Sequence, residues 1–167
     1  GCLILDHIEP ESDAVAHSLA RFAGFAQLLA GALQDAGVPA GVGEIPGEYC
    51  PGEYSVHGGT GPGIKLVGTA QRVVSGAWLF SSVVVIQDSA PLREVLTAVY
   101  EALGLDWDPA TAGAAEDLRP GLSVAGAEAS LLAAYGGYAE LRTSDPGRLE
   151  RIAAPGATVF PTGARSR

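Results

Sequence analysis

Lys65-Leu66-Val67-Gly68-Thr69-Ala70-Gln71-Arg72 runs into Gly76-Ala77-Trp78-Leu79 and then the apolar stretch Val83-Val84-Val85-Ile86. Apolar residues in short runs bounded by glycine and serine predict two extended segments, residues 64–71 and 78–87. Just upstream, residues 53–57 alternate like a strand, and the glycines of 58–63 mark a wide turn. The stretch therefore predicts a set of adjacent strands carrying one lysine. Behind that lysine, Gly68, Thr69 and Ala70 have little side-chain bulk, so a ligand can lie against the main chain there. A fixed cation beside open backbone suits an anion such as an acyl phosphate. The same residues equally describe a lysine at the end of a hairpin with a glycine bulge after it.

Outward from this centre, Leu3, Ile4, Leu5 and Ile8 form a short apolar run ending near Pro10, which predicts a strand. Ser12 or Asp13 then caps a predicted helix to Ala36, with Gly37 beyond its end. Val15, Leu19, Phe22, Phe25, Leu29 and Leu33 recur at three- and four-residue steps and mark its inward face. A second helix is framed by Asp88 or Ser89, Pro91 and Gly104, with Leu92, Val95, Leu96, Val99 and Leu103 as its buried side. A third runs from Ser123 to Tyr135 and closes on Gly136 and Gly137. A short last helix is expected over 146–154, then a flexible tail over 155–167. Strand, helix, strands, helices: this order predicts an α+β or mixed α/β domain spanning 1–154.

The composition narrows function. The chain has 167 residues, 47% apolar and 17% charged, enough for one core. Acidic residues outnumber basic ones 19 to 10, a net charge of −9, the opposite of a nucleic-acid binder. No apolar run approaches the ~20 residues of a membrane span. Cys2 and Cys50 are too few for a disulfide framework and too isolated for zinc, which points to a reducing compartment, the cytoplasm. Lys65 is the only lysine among ten basic residues, which singles out that ammonium. There is no methionine, so Gly1 either follows removal of an initiator or lies inside a longer polypeptide.

Several chemistries lack their motifs. His57-Gly58-Gly59-Thr60-Gly61-Pro62-Gly63-Ile64-Lys65 has the glycine spacing of a phosphate loop, but Ile64 stands where lysine is required. Pro62 also removes one of the amide donors such a loop uses. No serine sits in a Gly-x-Ser-x-Gly elbow. His7, His17 and His57 show no metal-ligand spacing, so no metal site is expected. The acidic residues read as solvated surface, with no pair singled out as acid and base.

The segment from Lys65 to Arg72, with Gly76-Ala77 after it, resembles the lipoate–protein ligase and octanoyltransferase family, within the biotin/lipoate ligase superfamily. The resemblance covers most of residues 3–141. It implies the superfamily's catalytic fold, a central, mostly antiparallel sheet flanked by helices, of which this chain would hold the C-terminal two-thirds. It also implies that Lys65 contacts an acyl-adenylate, with Gly68, Thr69 and Ala70 beside it. A ligase would activate lipoate or octanoate with ATP and Mg²⁺, then pass the acyl group to a lysine of a lipoyl acceptor domain or a glycine cleavage H-type protein. Related transferases take octanoate from acyl carrier protein through a cysteine thioester, and Cys50 lies roughly where one branch places that nucleophile. The family's upstream arginine-pair and glycine-rich motif is absent before Lys65, which favours truncation. It leaves a further alternative, a noncatalytic accessory module binding an acyl ligand or a partner; an apolar patch near residues 3–8 would favour it.

Overall fold

The computed structural model describes residues 1–61, 63–143 and 147. Five strands form one fully antiparallel sheet in the order β1-β5-β4-β3-β2. They are β1 Cys2–Pro10, β2 Ala40–Val42, β3 Val56–Gly58, β4 Ile64–Val74 and β5 Ala77–Val85. The predicted strand over 53–57 shrinks to three residues, because residues 43–55 are used in a folded loop instead. The glycine-rich segment is the β3–β4 connection, as its turn chemistry implies. The helices are α1 Ser18–Asp35, α2 Ser89–Leu103, α3 Ala115–Leu118 and α4 Val124–Tyr138, with a short 3-10 turn at Pro109–Thr111.

The sheet's two faces differ in what covers them. Side chains alternate across a strand, so Trp78, Phe80, Ser82 and Val84 of β5 share one face with Val67, Gln71 and Val73 of β4. On this face α1 packs against β2, β3 and β4, and α4 packs against α1 and β1. The core there joins Ala26, Leu29, Ala30 and Leu33 of α1 to Val67, Val84, Ala127 and Leu131. Phe80 stacks on Phe25 at 4.7 Å and meets Phe22 edge-on at 5.3 Å. His7 lies flat on Trp78 at 5.0 Å, and the Arg21 guanidinium also lies over the Trp78 ring, 4.8 Å from its centroid.

Two predicted burial patterns are corrected. Residues 12–17 form turns rather than the first turns of α1, so Val15 and Leu19 are exposed. The inward face of α1 instead uses Arg21, which is paired with Glu11 at 2.8 Å and bonded to Gln71 Oε1 at 3.0 Å. Gln71 thereby ties the motif strand to α1, since its amide also donates to the Ser18 carbonyl at 2.9 Å. The second helix begins after Asp88 and stops at Gly104 (φ 64°) as expected, yet α2 buries none of its residues. Its apolar side is half-covered at Leu92 and Leu96 and exposed at Val95, Val99 and Leu103. The third helix, capped by the Ser123 hydroxyl on the Gly126 amide, continues through Gly136 and Gly137 to Tyr138. The helix expected over 146–154 and the tail over 155–167 lie outside the described residues, Gly147 apart.

The opposite sheet face is partly bare. Cross-strand partners Ile4–Val83–Gly68, Asp6–Ser81–Ala70 and Ile8–Leu79–Arg72 run across β1, β5 and β4 on this side. Ile4 is 66% exposed and Ile8 69%, an apolar patch of the kind anticipated near residues 3–8. β1 is also an edge strand.

These two faces respond differently to substitution. Phe80→Ala deletes a buried ring and is expected to lower unfolding free energy by about 3–5 kcal/mol. Ile8→Thr on the bare face should stay within about 0.5 kcal/mol. Urea unfolding of the three proteins checks both values.

Candidate active site

The site is built around a loop that folds back on one carboxylate. Glu48 is completely buried, although the acidic residues as a class read as solvated surface. Its Oε1 accepts from the amides of Ile45 at 3.2 Å and Gly52 at 3.4 Å, closing residues 45–52 into a ring of hydrogen bonds. Gly47, at φ 80°, makes the turn, and its carbonyl accepts from the Asp108 amide at 2.8 Å. The Gly43 amide donates to the Ser55 carbonyl at 2.9 Å and closes the base.

Lys65 enters this ring from β4. It is 3% exposed, and its Nζ lies 2.8 Å from Glu48 Oε2, an ion pair. The same ammonium donates to the carbonyls of Tyr49 at 3.0 Å and Cys50 at 2.7 Å. Two carbonyls take hydrogen bonds from the ammonium, and the carboxylate holds it as a close ion pair, with Oε2 accepting no hydrogen bond of its own. The Tyr49 ring adds a face contact, its centroid 4.9 Å from Nζ. Lys65 is therefore a buried, ion-paired cation rather than a free one.

That arrangement fixes Cys50. Its carbonyl is held by Lys65, and its amide donates to the Tyr100 hydroxyl oxygen at 2.7 Å. The residue sits at φ 44°, in the left-handed region that L side chains seldom adopt. The thiol is exposed, with the Tyr100 hydroxyl 3.8 Å from Sγ. Burial pushes the Tyr100 phenol above its ordinary value, so it stays protonated at neutral pH and has a hydrogen to offer the sulfur. Tyr49 is raised as well, to about 12, first by burial and then by neighbouring Cys50, Glu48 and Tyr100.

Beside the thiol is a groove of about 360 Å³, lined by Leu19, Phe22, Cys50, Tyr54, Lys65 and Thr69 among others. Leu19, Phe22 and Tyr54 make one wall apolar, with the Phe22 and Tyr54 rings parallel at 6.2 Å. A larger depression of about 480 Å³ along α2 contains neither a cysteine nor a buried charge pair.

The anticipated residues thus separate. Lys65, Cys50 and Thr69 come together at the groove, whereas Gly68 and Ala70 alternate onto the bare sheet face. A side chain placed at Gly68 would meet nothing within 4 Å. Sequence reasoning missed Glu48 and Tyr100. The nearest signal was the placement of Glu48 two residues from Cys50, inside a Gly- and Pro-rich segment. Among the described residues there is no cluster of three His, Cys, Asp or Glu side chains able to hold a metal. No described helix is long and apolar enough to cross a membrane.

No family model and no curated protein sequence matches the chain. Solved structures do. The bi-partite lipoate protein ligase of Thermoplasma acidophilum, studied with its E2 lipoyl domain, superposes with a TM-score of 0.61 at 16% identity, over 86% of this chain and 54% of that one. The chain has the fold of lipoate protein ligases. A candidate lipoate protein ligase of T. acidophilum with lipoic acid bound gives 0.57 at 16% identity, over 82% and 51%. A lipoate-protein ligase A bound with ATP gives 0.56 at 16%, over 81% and 50%. The chain therefore spans about half the length of these solved ligase-fold proteins.

ATP fits the described groove poorly. Among the described residues Lys65 is the one basic group lining the groove, and its ammonium is already engaged by two carbonyls and the Glu48 carboxylate. No other cation faces the groove among its described lining residues. The apolar wall suits an acyl chain.

The buried phenol gives a direct check. A Tyr49 raised from the usual 10 to about 12 holds its proton more tightly folded than unfolded. The stability it contributes is complete below pH 10 and disappears between pH 10 and 12. A difference titration at 295 nm against Tyr49→Phe should show a step near pH 12, and a step at pH 10 would mean the ring is solvated.

Proposed function

We propose that this chain carries the thiol half-site of an acyltransferase that moves a lipoyl-type acyl group, octanoate or lipoate, onto a lysine of an acceptor domain. The observation that supports it is the presentation of Cys50: both of its backbone polar groups are tied down, and its thiol is left open beside an apolar groove. In the first step Cys50 Sγ attacks the carbonyl carbon of a donor thioester. The Sγ–C bond forms, the donor's C–S bond breaks, and the thiol proton passes to the departing sulfur. In the second step the neutral amine of the acceptor lysine attacks the same carbon. The C–N bond forms, the Sγ–C bond breaks, and a proton from nitrogen returns to sulfur.

Each surrounding residue has a part. Leu19, Phe22 and Tyr54 shield the hydrocarbon chain, and the Tyr100 hydroxyl is placed to donate to sulfur when it carries negative charge. Lys65 holds the nucleophile's carbonyl. The solved relative studied with its lipoyl domain favours an acceptor of that kind, and acyl carrier protein is a donor of suitable chemistry. Activation through ATP, as implied by the family resemblance, would need a cation that the groove does not offer.

A second reading rests on a separate observation. The chain matches about half of the ligase fold and leaves Ile4, Ile8 and Val83 bare. On this reading it binds an acyl group or a partner without turning it over.

One experiment separates these readings. Incubation with octanoyl-acyl carrier protein and no ATP is expected to add one octanoyl group by intact mass, removable by hydroxylamine. The adduct should persist in Cys2→Ala and vanish in Cys50→Ala. ATP-dependent acyl transfer that survives Cys50→Ala would restore the adenylate route. Absence of any adduct or transfer, with octanoate still bound, would favour the noncatalytic module.

A further inference from the structure

We infer that Glu48 is a positioning residue for Cys50, acting on it through Lys65; this rests on the thioester reading above. The carboxylate stands at the centre of residues 45–52, and its two oxygens do different work. Oε1 gathers the amides of Ile45 and Gly52, which flank the segment that carries the thiol. Oε2 lies 2.8 Å from Lys65 Nζ, and that nitrogen in turn holds the Cys50 carbonyl at 2.7 Å. A continuous chain of polar contacts thus runs from Glu48 through the ammonium to the backbone of the nucleophile.

Stability alone does not account for this pair. A buried ion pair can often be replaced by apolar residues of similar volume with no loss of stability, whereas removing one partner strands a charge. What an apolar pair cannot do is grip a carbonyl. Cys50 needs that grip, because its φ of 44° is not a conformation the residue adopts by preference. From the other side the Tyr100 hydroxyl takes its amide, so the thiol's direction is set by two contacts, one of which depends on Glu48.

The distinction can be measured with Glu48→Leu combined with Lys65→Met, which removes both charges together. The double variant also leaves the Ile45 and Gly52 amides and the Tyr49 and Cys50 carbonyls without these partners, so its unfolding midpoint is expected to fall, and it is compared with a core variant of equally lowered midpoint such as Phe80→Leu. Acylation of Cys50 by octanoyl-acyl carrier protein should nonetheless slow about a hundredfold, the usual effect of misplacing a reacting group by about 1 Å. Hydrogen exchange at the Cys50 amide should accelerate beyond that of the matched core variant, a change that a purely stabilising role would not produce. A folded double variant with parental acylation and a parental exchange rate at Cys50 overturns the proposal.

If the double variant does not fold, Glu48→Gln decides on the same two readouts, since its side-chain oxygen can still receive the two loop amides. If the parent takes no acyl group at Cys50, the thioester reading fails by itself. The exchange comparison then still shows whether Glu48 fixes the loop.

Discussion

The buried pair between Lys65 and Glu48 organises everything around the groove. Burying two opposite charges is costly unless their remaining hydrogens and lone pairs find partners. Here the ammonium has two further carbonyl acceptors, and the carboxylate has two amide donors. Satisfying those groups requires residues 45–52 to wrap around the pair. The requirement converts a Gly- and Pro-rich segment with no periodic pattern into a fixed loop. Cys50 owes its position, its backbone geometry and the openness of its thiol to that wrapping.

The sheet and α1 support the loop from two directions. β4 delivers Lys65 at its buried end, where the 3-10 turn also approaches through a bridge between Lys65 and Ala112. Farther along the same strand, Gln71 and Arg21 fasten α1, so the helix brings Leu19 and Phe22 to the groove. One strand thus carries both the cation that shapes the thiol loop and the amide that sets the apolar wall. That double duty gives a physical reason for the dense run from Lys65 to Arg72. α2 adds Tyr100 from outside. Its other polar ties are those of Arg93 to the carbonyls of Pro109 and Ala112.

Much of this architecture was legible in the residues, and the exceptions are physical rather than accidental. β1, β4 and β5 were readable because apolar runs of strand length between turn residues have few alternatives. The ends of α2 were readable from Asp88 and Gly104, whose effects are local. Its burial was not, because amphipathic spacing reports which side would pack but not what stands opposite. At the N-terminus of α1, Ser12 and Asp13 are good capping residues, but residues 12–17 turn under Arg21 and its contacts to Glu11 and the Ala14 carbonyl. In the candidate site, Lys65 stood out as the one lysine beside small residues, and Cys50 through the family resemblance. Glu48 did not, because its burial depends on an ion pair spanning a loop and a strand, which local pattern does not encode. The alternation of β4 also sends Gly68 and Ala70 away from Thr69, a separation that small size alone did not reveal.

The state of the cation argues for the chemistry assigned to the groove. Electrostatic stabilisation of a phosphoanhydride needs donors aimed at the developing charge and free to meet it. Lys65 is aimed at protein carbonyls and a carboxylate, and diverting it to a phosphate would leave Glu48 buried without its partner. Breaking such a pair is worth about 3–5 kcal/mol, a penalty each turnover would have to overcome before any gain. A thiol makes no such demand. In the thioester exchange the thiol proton ends on the departing sulfur and no net charge is left in the groove, so a neutral hydroxyl such as that of Tyr100, held near Sγ, is a proportionate donor. The apolar wall contributes the remaining selectivity by removing hydrocarbon from water at roughly 25 cal/mol per Å². On the proposed thioester reading the lysine belongs to the scaffold that aims the nucleophile, and the chemistry belongs to the cysteine.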